Sequence, residues 1–417
     1  MPRDDVRGSL VYRLVAGAVM LWILQTPSPA AAYSALAHQA LIDDVWQDDL
    51  APLLRARFPR APEQAVRASR AYAYGGSLIQ DLGYYPFGSR LFSNLVHYVR
   101  SGDFVAALVR ESRDVNELAF ALGALAHYAS DNAGHPGAVN RVVPLIYPKV
   151  GRKHGPEVLY AQAPSRHLMV EFAFDVVQIG RGVFKPDVYQ DLIGFQVAVP
   201  VLERAFRATY GLEITDVFGD VDLAIGTYRR VASQIIPDVT RMAWRDKRDE
   251  ILAANPRLTE KDVVFSMTRR EYEQRYGTKY RKPGLLARVI VALFKVVPKF
   301  GPFKPLGFRP LTPEAERMFL ESFAASRARY RQLLAGARDG TVDAADTDLD
   351  TGRRPAQGVN LLADETYDDL LARLAKRNFA SVPADLRRVI AAHYAPTRPK
   401  DKTTARHLAA LERLRPR

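Results

Sequence analysis

The stretch HYASDNAGH, residues 127–135, sets His127, Asp131 and His135 at successive intervals of four. A helix turns once in about 3.6 residues, so positions so spaced stay near one face. The residues before them, NELAFALGALAHY, are apolar at helical spacing. Asp114, with Glu117 three residues later, predicts a capping box that starts this helix, and Pro136 predicts its end. The stripe therefore continues the core-facing side of a buried helix. Two imidazoles and a carboxylate there need partners, because an unpaired buried charge is costly. Two readings follow, a hydrogen-bonded polar patch or a metal site, and the rest of the chain decides between them.

Other residues able to do chemistry are spaced the same way. His167 and Glu171, in RHLMVEFAFDVV, again put two donors on one helix face, and Asp175 extends that face by four more residues. Asp175 is a candidate to orient a ligating histidine. Asp81 lies in QDLGYYPFGS, a turn-like stretch, and His97 ends LFSNLVH. His38 lies in YSALAHQAL, five residues after Tyr33. Six of the eight histidines fall between residues 38 and 167, which predicts a site built by the N-terminal half. His154, in the polar GRKHGPE, reads as surface. The run DTDLDTG, 346–352, resembles part of a calcium loop but lacks the sixth-position glycine and the closing glutamate, so it reads as a turn-rich loop.

Composition narrows the chemistry. The 417 residues contain no cysteine, so disulfides and thiolate metal sites are excluded. A transition metal must take His, Asp, Glu or backbone ligands. Hydrophobic content of 48% is ample for a large core without disulfides. At the N-terminus Arg3, Arg7 and Arg13 precede the apolar run LVAGAVMLWIL and then PSPAAA. That run falls short of the about 20 residues a membrane span takes, and Ala30 and Ala32 suit a cleavage site. The expectation is an exported protein, periplasmic or extracellular, with a signal peptide over residues 1–32. Cleavage would leave Tyr33 with a free α-amine of pKa about 8, able to bind metal at modest cost. The formal net charge of +13 favours anionic partners: phospholipid surfaces, nucleic acid or acidic polymers.

Nearly every periodic segment after residue 33 predicts helix, so the chain is expected to be all-α. No internal repeat is found. A Pro/Gly-rich break, PKFGPFKPLGFRP at 298–310, and a polar loop near 338–359 punctuate the second half. The division expected is a helical catalytic domain over 33–255, followed by a mostly helical C-terminal region over 256–417 that contacts membrane or substrate.

The constellation resembles the zinc-dependent phospholipase C family, whose superfamily includes the single-strand-specific zinc nucleases. YSALAHQAL looks like the mature start of these enzymes, with Tyr33 where better-known members carry tryptophan. LGALAHYASDNAGHP resembles their H-x3-D…H core, although the gap from Asp131 to His135 is shorter. The resemblance covers about residues 33–180 well and thins out afterwards. It implies a multi-helix fold and three zinc ions. Asp81, His97, His127 and Asp131 would hold the first, and His135, His167 and Glu171 the second. The Tyr33 amine and carbonyl, His38 and Asp131 would hold the third. It also implies hydrolysis of a phosphodiester by activated water, with Asp81 orienting or deprotonating that water.

The superfamily cleaves two kinds of phosphodiester. GLLARVIVALFKVVPKFGPFKPLGF, 284–308, is apolar, aromatic and basic, and suits adsorption to an anionic bilayer or a core helix with a proline-rich connector. The local match is closer to the phospholipase branch, so a phospholipid membrane surface is the expected partner. A nuclease or nucleotidase using the same metals is the first alternative, and a non-catalytic metal-stabilised membrane-binding protein the second. Leu36 stands where phospholipases of the Gram-positive type carry a glutamate near the headgroup, which leaves headgroup preference open.

Overall fold

The computed structural model describes residues 35–180, 192–264, 269–276, 309–396, 399 and 401–413. The expected signal peptide, Tyr33 and the basic apolar segment 284–308 lie outside the described residues. Among those described, the chain is all-α. Its principal helices are α1 (Ala35–Val45), α2 (Arg70–Ile79), α3 (Arg90–Tyr98), α4 (Ser101–Glu111), α5 (Val115–Gly134), α6 (Asn140–Ile146), α7 (Pro164–Gly180), α8 (Val199–Tyr210), α9 (Val221–Ala254), α10 (Pro313–Arg338), α11 (Leu361–Lys376) and α12 (Ala384–Tyr394).

Helix α5 is the axis of the molecule, buried along almost its whole length. Its start follows the sequence with one shift. Asp114 Oδ1 accepts the amides of Asn116 and Glu117 at 2.8 and 2.9 Å. Glu117 returns to Arg113 N at 2.8 Å, one residue before the cap, and pairs with Arg204 at 2.5 Å. Its end departs from expectation. Pro136 does not stop the helix: His135–Val139 form a π-helical turn that runs on into α6. Proline sits in the first turn of that segment, where a missing N–H is tolerated.

Two glycines let α2 cross α5 at backbone distance. A methyl group on Gly123 would lie 1.9 Å from the Ala73 carbonyl oxygen, and one on Gly76 would lie 1.9 Å from that of Phe120. The approach brings the Ser77 carbonyl to His127. Gly123→Ala must therefore push the helices apart. It is expected to cost about 1–3 kcal/mol in urea unfolding and to weaken metal binding together with stability.

The C-terminal region shares this core. Helix α10 lies along α5, where Tyr330 Oη donates to the Leu122 carbonyl at 2.8 Å, and α11 packs on α3. Hydrophobic side chains of both regions form one buried cluster. Far from the histidine-rich half, His393 on α12 stacks on Tyr367 with ring centroids 3.7 Å apart. Burial pushes its imidazole down to about 4, against a small opposing pull from Asp368. A depressed histidine gives stability that is complete above its unfolded value, near 6.5, and lost as pH falls toward 4. His393→Phe should spare up to about 3 kcal/mol of the acid-side loss. Unfolding free energies at pH 7 and pH 4.5 check this, and parallel losses in the two proteins would contradict it.

Candidate metal centre

Three elements converge on the face of α5 that carries His127 and Asp131. His38 comes from α1, and its ring stacks on that of His127 at 4.3 Å and 14°. His97 comes from the last turn of α3. Asp81 comes from a 3₁₀ turn, Gln80–Tyr84, that follows α2. Ser93 ties that turn to α3: its hydroxyl donates to the Gln80 carbonyl and accepts the Gly83 amide. All five side chains are buried.

The hydrogen bonds assign the histidine tautomers. His127 Nδ1 lies 2.9 Å from the Ser77 carbonyl, and His97 Nδ1 lies 2.7 Å from the Ser93 carbonyl. A carbonyl only accepts, so Nδ1 carries the proton in both rings. Each neutral ring is then left with a lone pair at Nε2. Those two nitrogens face each other at 3.3 Å. Asp131 Oδ2 is 3.0 Å from His127 Nε2 and 3.5 Å from His97 Nε2, and Asp81 Oδ1 is 3.6 Å from His97 Nε2. Asp131 Oδ1 turns the other way, 3.6 Å from His38 Nε2. Electron pairs gathered in this way need a cation between them. Nitrogen and oxygen ligands on one tetrahedral zinc stand about 3.3 Å apart, given bonds near 2.0–2.2 Å, and these spacings fit. Burial opposes ionisation of Asp131, yet protonated rings at His127, His97 and His38, standing in for that cation, hold its carboxyl well below the usual range.

A second cluster lies beside the first. Eight residues of helix turn about 80° past two full turns, so His135 points away from the His127 cluster. Its ring stacks with that of His167 at 6.0 Å, and its Nδ1 is 3.1 Å from Asp350 Oδ1. His167 Nε2 donates to the Val158 carbonyl at 2.5 Å, which leaves Nδ1 as the lone-pair nitrogen. That atom is buried without a hydrogen-bond partner, and so are His135 Nε2 and both oxygens of Glu171. Glu171 Oε1 lies 4.0 Å from His167 Nδ1, beyond hydrogen-bond reach. Burial, with Asp81, Asp131 and Asp350 behind it, pushes the Glu171 carboxyl well above the carboxylate range, against the pull of His135. Burial takes His167 down to about 4. Burial would lower His135 as well, but Asp350 and Asp131 lift it to about 9. A cation beside Glu171 would favour its ionised form.

Three groups of donor atoms thus meet within 4.8 Å: His38, His127 and Asp131; Asp81, His97 and His127; and His135, His167 and Asp350. Among the described residues the structure brings the expected donors close together, with two additions. In the second cluster Asp350 of the DTDLDTG run joins His135 and His167 as a further donor, and Glu171 stands beside them. The run is turn-rich, as its sequence predicts, but it also delivers a carboxylate to the centre, which a comparison with calcium loops does not reveal. Asp175 acts on the backbone: its carboxylate accepts the Ala37 amide at 3.0 Å and the Leu36 amide at 3.4 Å. It so fixes the start of the helix that carries His38.

The described all-α bundle buries three groups of histidine and carboxylate donors, two of which share His127, each able to hold a metal ion. Residues 37–219 match the family model described as zinc dependent phospholipase C. No curated protein and no solved structure gives a match to the chain. The donor set suits zinc, since nitrogen and oxygen ligands are its usual partners when thiolates are absent. Because Asp131 stands in one group and borders a second, Asp131→Asn is expected to weaken two metal positions while His38→Ala weakens one. Zinc content after dialysis against a mild chelator separates the two, and equal retention would contradict the shared role.

Proposed function

We propose that this chain is an exported zinc-dependent phosphodiesterase of the phospholipase C type, releasing diacylglycerol and a phosphorylated headgroup from phospholipids. The observation that carries the proposal is the sharing of His127 between two donor groups, with Asp131 against both, inside the family span. In this reading Asp81, His97, His127 and Asp131 hold one zinc. His135, His167 and Glu171 hold a second. His38 and Asp131, with the amine and carbonyl of Tyr33, hold a third. When bound, zinc supplies positive charge to the phosphodiester oxygens and lowers the pKa of water.

The protein's own residues supply position. Asp81 stands between the His97 cluster and a largely apolar cavity whose lining includes Leu36, Tyr85, Phe172, Asp175, Tyr228 and Val239. That position supports a role for Asp81 in orienting an attacking water and taking its proton. Among the described residues no Lys or Arg lines that cavity, whereas a nucleic-acid track would need cations along its length. The apolar lining supports a glycerolipid. The basic balance of the chain supports an anionic bilayer as the surface on which it works. Export is supported by the basic and then apolar stretch that ends in PSPAAA.

Diacylglycerol release from mixed phospholipid vesicles tests the proposal, using the zinc-loaded chain starting at Tyr33. The wild type is expected to release diacylglycerol, and Asp81→Asn to slow release by about a hundredfold or more. No release with zinc still bound would overturn it. Zinc-dependent cleavage of single-stranded nucleic acid would then favour the nuclease alternative, and inertness toward both would favour a metal-stabilised binding protein.

A further inference from the structure

We infer that Asp350, more than a hundred residues beyond the family span, is a ligand of the second metal position, so that the C-terminal region completes the centre. This rests on the zinc reading above and adds to it a donor from outside the matched residues. The distances have the form of a ligand set. Asp350 Oδ1 is 3.1 Å from His135 Nδ1, and the donor atoms of His135, His167 and Asp350 all lie within 4.8 Å of one another. The first distance is close to the about 3.3 Å that separates two ligand atoms on one tetrahedral zinc. A second observation is independent of the carboxylate. His167 Nδ1 is fully buried, lies within that group, and has no hydrogen-bond partner. A histidine–aspartate pair would satisfy itself and leave no need for a third donor aimed into it; a cation needs all three.

The loop is built to hold Asp350 there. Its second oxygen accepts the Tyr160 amide at 2.9 Å, and a carboxylate so bonded keeps acceptor sites free. Its own amide donates to Asp348 Oδ1 at 2.9 Å, and its carbonyl accepts Asn140 Nδ2 at 2.7 Å. Asp348 is itself held by Asn360 Nδ2 at 2.9 Å. The neighbouring Leu349 amide donates to the carbonyl of His97, a residue of the first cluster, at 3.0 Å. Further back, Thr347 is bonded to Ser101, and the Ala345 carbonyl accepts Tyr128 Oη at 2.6 Å. The backbone of 345–350 is thus fastened to α3, α4, α5 and α6, all elements around the centre. A passive connector would not need so many anchors, whereas a ligand loop must hold its donor to within a fraction of an ångström.

The test compares wild type with Asp350→Asn in the zinc-loaded chain. Zinc content and chelator-competition affinity are read first, followed by the visible spectrum after replacement of zinc by cobalt. The variant is expected to lose one zinc equivalent, or to bind it about 10- to 100-fold more weakly, with a changed cobalt spectrum and a metal-free melting temperature near that of wild type. Equal zinc content, affinity and cobalt spectrum would overturn the inference and leave the functional proposal standing. A wild type that holds no zinc would overturn both. If Asp350→Asn does not fold, Asp350→Glu decides: a shifted cobalt spectrum supports ligation, and an unchanged one overturns it.

Discussion

An imidazole whose Nδ1 proton is held by a backbone carbonyl has only a lone pair left to offer at Nε2. His127 and His97 are both in that condition, and their Nε2 atoms are 3.3 Å apart. Two lone pairs at that distance, inside a core and beside the Asp131 carboxylate, are tolerable only with positive charge between them. Much of the fold can be understood as supplying this constraint. The Gly76 and Gly123 crossing lets the Ser77 carbonyl reach His127. The Ser93 hydroxyl holds the Asp81 turn to the helix that carries His97. Asp175 fixes the first amides of the helix that carries His38.

Helical periodicity explains why one stripe serves two clusters. Over eight residues the helix drifts by about 80°, enough to send His127 and His135 to different partners while Asp131 stays with the first. The π-helical turn that begins at His135 keeps the chain helical past Pro136. Wide turns of this kind are frequent at functional sites, and here one lies at the junction of the two clusters.

Much of this is legible in the sequence, because donors spaced by four on an apolar helix have few other uses. The spacing alone places His127, Asp131, His167 and Glu171 on helix faces, and the scarcity of strand patterns points to an all-α chain. Asp350 cannot be placed in that way. Its loop has no periodicity to say which way a side chain points, and its partners His135 and Tyr160 are far away in sequence. Nor does periodicity show that Asp175 acts on backbone amides, since a helix face says where a residue lies and not which atom it meets. Pro136 misleads for a related reason: local chemistry makes it a stop, but proline at the first turn of a new helical segment has no amide bond to lose.

In the proposed function the lone pairs of His97 and His127, with Asp81 and Asp131, enclose a zinc ion. Anomalous diffraction at the zinc edge from crystals of the zinc-loaded protein tests this most directly. A strong peak is predicted between the Nε2 atoms of His97 and His127, in contact with Asp131, with both Nδ1 atoms still on their carbonyls. Density with no anomalous signal there, and either Nε2 donating a hydrogen bond to a carboxylate instead, would contradict it.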